Sequence, residues 1–295
     1  MKILLTGKNG QVGFELQRAL APLGPLVAVG RAECDLADAE ALRRLVRAVR
    51  PGIIVNPAAY TAVDKAESDP ETAFAINGIA PGVLGEEATR LDALVIHYST
   101  DYVFNGAKQT SYMEDDIANP QSVYGKSKLA GDQALLRSTK NAIIFRTSWV
   151  FGAHGNNFVK TMLRLAAERD SLKVVADQFG APTSAALIAD VTAQILRRYL
   201  QADRKDFPFG LYNLAASGET NWCDFARTVI GTALAAGRPL AVRPEDVLPI
   251  STDQYPLPAP RPANSRLDTH KIQETFGLHL PMWQEGLKHV LQQIL

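Results

Sequence analysis

Lys2-Ile3-Leu4-Leu5-Thr6-Gly7-Lys8-Asn9-Gly10-Gln11-Val12-Gly13 is the stretch that decides the fold. An apolar run that stops at glycines spaced three apart reads as a buried strand turning into a helix. The strand is Ile3–Leu5, and the helix carries Val12, Leu16 and Leu20 on its inner face. Glycine lets a backbone approach a pyrophosphate, and the start of a helix offers it unpaired amides. Gly7, Gly10, Gln11, Val12 and Gly13 are therefore candidate contacts for a dinucleotide. The spacing is Gly-x-x-Gly-x-x-Gly, not the Gly-x-Gly-x-x-Gly of many dehydrogenases. The plainer reading is a glycine-rich turn with no ligand.

Working outward, strand-like runs recur at 26–29, 53–56, 94–98 and 142–145. Helical patterns lie between them at 11–21, 38–49, 70–91 and 122–138. Such alternation predicts a parallel sheet with helices on both faces, whose ligands bind beyond the carboxyl ends of the strands. After residue 150 the pattern changes. Glycine, asparagine and proline gather around 152–157 and 177–183, and six prolines fall within 244–262. The proline stretch reads as a loop lining a smaller second domain, or as an ordinary surface loop. The expected division is a dinucleotide-binding domain over 1–150, rejoined by 185–215, and a substrate domain over 151–184 and 216–295.

Tyr124 and Lys128 stand four residues apart, with Thr100 upstream. Positions i and i+4 share a helix face. An ammonium beside a phenol favours the phenolate, so Lys128 is expected to lower the Tyr124 pKa from about 10. A tyrosine moved in that direction can exchange a proton with a carbonyl or carbinol oxygen, and the Thr100 hydroxyl could bond the same oxygen. A solvated helix face gives the same spacing.

The second strand runs into Gly30-Arg31. An acidic residue here usually holds the adenosine ribose, whereas an arginine accommodates a 2′-phosphate. Guanidinium pairs well with phosphate, so Arg31 favours NADPH, with NADH as the alternative. Nearby Glu33 pulls against that choice, and an exposed turn arginine is the bland reading. Ala59, Tyr60 and Thr61 follow the third strand, Tyr98 ends the fourth, and all four are expected to border the cofactor.

Together these features resemble the extended short-chain dehydrogenase/reductase superfamily. Five further segments narrow the resemblance to the dTDP-4-dehydrorhamnose reductase family. They are Ser99-Thr100-Asp101-Tyr102-Val103-Phe104, Arg146-Thr147-Ser148-Trp149-Val150-Phe151 and Asn156-Asn157-Phe158-Val159-Lys160-Thr161-Met162, with Asp177-Gln178-Phe179-Gly180-Ala181-Pro182-Thr183 and Arg261-Pro262-Ala263-Asn264-Ser265-Arg266-Leu267. The resemblance covers nearly the whole chain. It implies an α/β fold, a Rossmann-type doubly wound parallel sheet with a smaller C-terminal α/β substrate domain. It implies NADPH-dependent reduction of the C4 ketone of dTDP-4-dehydro-L-rhamnose, the last step in making dTDP-L-rhamnose for surface polysaccharide. Tyr124 would donate the proton, Lys128 would hold the nicotinamide ribose, and Thr100 would orient the carbonyl. Asp35 and Leu36 would meet the adenine. Asp101 and Trp149 would touch the sugar, Trp149 being otherwise a core aromatic. Asn157, Lys160, Gln178, Arg261 and Arg266 would serve the dTDP end. Two rivals share the fold: a nucleotide-sugar epimerase or dehydratase that recycles its cofactor, and a non-catalytic subunit like the regulatory one of methionine adenosyltransferase.

Some members of the family bind magnesium through three glutamates at a dimer contact. Here the aligned positions are Glu15, Ala186 and Gln284. A hard cation needs several oxygen ligands, so no metal is expected, and a homodimer built on one is in doubt. Net charge is zero among 295 residues, which gives no basic field for nucleic acid. No apolar run is long enough to span a bilayer. Two cysteines, Cys34 and Cys223, make no disulfide framework and read as free thiols of a cytoplasmic protein.

Overall fold

The computed structural model describes residues 1–295. One parallel sheet holds β1 (Ile3–Leu5), β2 (Leu26–Ala28), β3 (Ile53–Asn56), β4 (Leu94–Thr100), β5 (Ala142–Thr147) and a sixth strand, Gly210–Asn213. Their spatial order is Gly210–Asn213, β5, β4, β3, β1, β2. The chain steps from β1 outward to β2 and then crosses back to β3, so a crevice opens at the carboxyl ends of β1 and β3. This is a Rossmann-type doubly wound α/β fold.

The helices are α1 (Gln11–Leu20), α2 (Ala39–Val49), α3 (Val63–Ser68), α4 (Pro70–Phe74), α5 (Ala80–Leu91), α6 (Val123–Ser138), α7 (Phe158–Glu168), α8 (Ala185–Gln201), α9 (Trp222–Ala235), α10 (His270–Phe276) and α11 (Trp283–Ile294). Strand side chains alternate between two cores. Ile3, Leu5, Ile53, Val55, Ile96 and Phe145 meet α1 and α8 on one face. Leu4, Ile54, Val95 and Ile144 meet α2, α5 and α6 on the other. Because both faces are covered, every residue of β1, β3, β4 and β5 is buried. On α1, Leu16 and Leu20 are fully buried and Val12 is half-buried. Each buried leucine contributes about 2 kcal/mol of apolar transfer.

Three elements differ from the sequence pattern. β4 and β5 run on through Ser99-Thr100 and Arg146-Thr147, which pair in register although their side chains are polar. The ladder depends on backbone groups, so apolar patterning ends before the strand does. The expected single helix over 70–91 is broken by a π-helical turn, Ala75–Ile79. Pro81 lacks the N–H that would bond the Asn77 carbonyl. That carbonyl lies against Gly131 of α6, where an added Cβ would come within 2.0 Å of it.

The second layer of structure packs α7, α9 and α11 around a parallel pair, Leu172–Val175 with Val247–Ile250, over a core that includes Phe151, Phe225 and Trp283. α10 belongs with the sheet instead, since Ile272 and Phe276 pack into the α1/α8 core. α8 and Gly210–Asn213 also return to the sheet. No helix is long and apolar enough to cross a membrane. Cys34 and Cys223 are buried free thiols.

Candidate active site

Two cavities flank the carboxyl ends of the strands. The first, of about 660 Å³, is lined by residues that follow β1, β2, β3 and β4 and by the start of α6. Gly7 adopts a left-handed φ of 61°, and any Cβ there would strike Ala58 at 2.9 Å. At Gly13 a Cβ would fall 2.0 Å from the Gly7 carbonyl. These two glycines pull the turn flat against the first turn of α1. No side chain caps that helix, so its leading amides stay available to an anion. The cradle fits a dinucleotide pyrophosphate for this reason.

The remaining expected cofactor positions converge on the same wall. Gln11, Val12, Arg31, Asp35, Leu36, Ala59, Tyr60, Thr61, Tyr98, Tyr124 and Lys128 all line it. Arg31 is mostly exposed and pairs with Asp35 at 3.1 Å. Glu33 is engaged elsewhere, by Lys8 at 2.5 Å and by the Gly30 amide at 2.8 Å. The guanidinium, not the carboxylate, therefore faces the cleft.

Lys128 is fully buried. Its Nζ donates to the Tyr98 carbonyl at 2.6 Å and lies 3.2 Å from His97 Nε2. Burial pulls the ammonium down to about 8, with Asp132 acting in the opposite direction. The Tyr124 ring meets Tyr102 edge-on at 5.4 Å. Burial pushes its phenol well above the ordinary value, and the Thr100 hydroxyl only partly offsets this. The expectation that Lys128 lowers the tyrosine is thereby corrected for the free protein. Lys128 is aimed at β4, and desolvation of the phenol wins. Asp101, also buried, is pushed up to about 6 by burial, and its Oδ2 has no partner. The Thr100 hydroxyl donates to the other oxygen at 3.0 Å.

The second cavity, of about 670 Å³, lies on the C-terminal side and brings together Trp149, Gln178 and Arg261. Trp149 holds a left-handed φ of 48°, a strain on the order of 1–3 kcal/mol for a non-glycine residue. Its indole stacks on Trp222 at 3.6 Å, nearly parallel. A Cβ on Gly180 would fall 2.8 Å from that indole, so the glycine makes room for it. Trp222 Nε1 donates to Gln178, and Gln178 in turn donates to Thr252. The proline stretch is fastened at both ends. Asp177 accepts from Thr252, and Asp64 of α3 accepts from Arg261 at 2.7 Å and from the Ala259 amide.

Five candidates stand outside this cavity: Thr100 and Asp101 lie buried where β4 ends, and three others are placed elsewhere. Asn157 caps α7 and donates to Gln11 and to the Gly152 carbonyl, so it ties the second layer to the cofactor helix. Lys160 sits in the first turn of α7 but does not line the cavity. Arg266 is spent on Asn264, Glu219 and the Gln109 carbonyl. Sequence reasoning missed Trp222, Tyr102 and Asp64. Trp222 opens a helix far from the motifs, and only its position after Thr220-Asn221 marks it as a helix start.

Glu15 and Ala186 share a surface hollow, but Gln284 does not line it, and its neighbour Glu285 does. Glu15 pairs with Arg18; Asp190, Glu285 and His289 line the same hollow, but no three such side chains are placed to hold one metal ion.

A glycine cradle, a half-buried tyrosine one turn from a buried lysine and a side-chain-lined second cavity define an extended short-chain dehydrogenase/reductase of the nucleotide-sugar type. Residues 1–295 match the family described as RmlD substrate binding domain. The chain is 51% identical to dTDP-4-dehydrorhamnose reductase of Escherichia coli K12, covering 100% of this chain and 98% of that one. The crystal structure of a dTDP-4-dehydrorhamnose reductase from Clostridium acetobutylicum superposes with a TM-score of 0.90 at 35% identity, covering 99% of each chain. One from Bacillus anthracis, in complex with NADP, gives 0.89 at 32%, again over 99% of each. The chain belongs to the RmlD family of dTDP-4-dehydrorhamnose reductases.

Proposed function

We infer that this protein reduces the C4 ketone of dTDP-4-dehydro-L-rhamnose to dTDP-L-rhamnose with NADPH. The observation that carries the reading is the position of Tyr124, at the junction of the glycine-lined cavity and the tryptophan-lined one and in contact with Tyr102, which lines the latter. Bound NADPH supplies the hydride. Tyr124 donates a proton to the oxygen that becomes the alkoxide. A phenol raised by burial stays protonated across the working pH range, which suits a donor. Thr100 orients the carbonyl oxygen, and the Lys128 ammonium holds the nicotinamide ribose.

Arg31 serves the 2′-phosphate, and the exposed guanidinium with Glu33 tied to Lys8 supports this. Trp149 packs on the sugar with Asp101 beside it, while Gln178 and Arg261 face the dTDP end. Trp222 joins this set as the partner of Trp149. The enzyme would act in the cytoplasm on a nucleotide sugar, and a homodimer is part of the same proposal.

The test is oxidation of NADPH by the purified chain with dTDP-4-dehydrorhamnose. Stoichiometric loss of reduced nicotinamide with dTDP-rhamnose appearing is the expected result. Binding of both ligands without net oxidation would overturn the reading and favour an epimerase that recycles its cofactor.

A further inference from the structure

Behind Lys128 lies a closed run of buried polar groups that the mechanism above does not use. Asp132 stands one turn beyond Lys128 on α6 and is buried with it. The Ser99 hydroxyl donates to its Oδ2 at 2.7 Å, whereas Oδ1 has no hydrogen-bond partner. That oxygen is 4.0 Å from Nε2 of His97. On the far side of His97 the donors all point one way. The Thr6 hydroxyl donates to Asn56 Oδ1 at 2.5 Å, and the Asn56 amide nitrogen meets His97 Nδ1 at 3.1 Å. An amide N–H aimed at Nδ1 makes that atom the acceptor and leaves the ring proton on Nε2.

Nε2 faces two groups, Lys128 Nζ at 3.2 Å and Asp132 Oδ1. An ammonium has no lone pair to offer. With Lys128 charged, the acceptor nearest the Nε2 proton is Asp132 Oδ1, at 4.0 Å, longer than a hydrogen bond. Ser99 donates to this carboxylate directly, and the run from Thr6 through Asn56 orients His97 so that its Nε2 faces the open oxygen. Convergent donors favour its ionised form, and a chain of such bonds polarises cooperatively.

We propose that Asp132 is the ionised counter-charge that keeps Lys128 an ammonium, and that His97 is the positioning residue that holds Asp132 in that state. The proposal rests on the assignment of Lys128 to the active site given above. Arg146 also faces the Asp132 carboxylate, and the other groups near this part of α6 are engaged elsewhere. Arg146 on β5 is 3.8 Å from Asp132 Oδ2, and its Nη1 donates to the Glu114 carbonyl. Tyr98 on β4 offers its backbone carbonyl to Lys128 while its hydroxyl bonds Thr192. Asn77 on the π turn bonds Ser127, and Glu67 on α3 accepts from the Val123 amide. Tyr124 lies at the cavity end. Asp132 is the charge that opposes the burial of Lys128, while burial of Asp132 itself is opposed by Lys128, Arg146 and Ser99.

The experiment is the pH dependence of kcat/KM with NADPH and dTDP-4-dehydrorhamnose, which reports titrations of the free enzyme. The rate should fall as rising pH removes the Lys128 proton. Asp132→Asn should move that alkaline limb about one pH unit lower, and His97→Leu should move it the same way by less. Limbs that superimpose on that of the unsubstituted enzyme overturn the proposal. Carbon-13 NMR of the Asp132 carboxyl in the unsubstituted protein gives a reading independent of turnover and of variant folding. An ionised carboxylate at neutral pH is expected, and a protonated one overturns the proposal. If the unsubstituted chain oxidises no NADPH, the functional reading fails instead, and the carboxyl titration still decides the charge state of Asp132.

Discussion

The two cavities are built by opposite means. The cofactor side is made of backbone: glycines, strand ends and a helix start, nearly all within short stretches of chain. The proposed substrate side is made of side chains drawn from the segment after β5, α7, the segment around Gln178, α9 and the proline stretch. Backbone constraints are local and hard, because a Cβ either fits or does not. Side-chain walls are negotiated between distant segments, as Trp149, Gly180 and Trp222 show. The lesson is that a short glycine pattern can specify half an active site, whereas the other half exists only once the chain has closed on itself.

Tyr124→Phe acts where the two sides meet and should have the largest effect. Turnover should fall by about a hundred- to ten-thousand-fold with both ligands still bound. Near-normal rates would remove Tyr124 from the chemistry. Arg31→Asp probes the outer edge of the cofactor side. Loss of a charge-assisted phosphate contact should shift the NADPH-to-NADH efficiency ratio by roughly ten- to a hundredfold, and an unchanged ratio would contradict the phosphate assignment.

A pair of glycine substitutions sharpens the contrast. Gly13→Ala forces the turn off α1 and should weaken NADPH by about tenfold, near 1.4 kcal/mol. Gly180→Ala pushes on the Trp149 indole and should raise the KM for the nucleotide sugar by a similar factor, leaving NADPH affinity in place. Calorimetric titration of each ligand would separate them. If either variant weakened both ligands equally, the division between the sides would be wrong.

The last expected effect is on stability. The Asp101 carboxyl is raised from 3.8 to about 6 by burial, so the folded state holds its proton more tightly than the unfolded chain. Stability therefore falls as pH rises from about 4 to 6. Asp101→Asn removes that charge and should stabilise the protein by about 3 kcal/mol above pH 6, the gain fading toward pH 4. Thermal melts at several pH values would show it, and a gain that grew on acidification would refute the assignment.

The sequence by itself determined the glycine turn between β1 and α1 and the strands Ile3–Leu5 and Ile53–Asn56. Each depends on periodicity or on backbone room, which neighbours in sequence decide. It also supplied Tyr124 and Lys128 as a pair. Tertiary structure alone decided the rest. It turned Asn157 into a cap that ties to Gln11, spent Arg266 on Glu219, and set Trp222 against Trp149. It also reversed the expected shift of Tyr124, because spacing places a charge near a phenol but says nothing of how much water the fold removes. Contacts between distant segments and burial depend on the whole closed chain, and no local pattern encodes them.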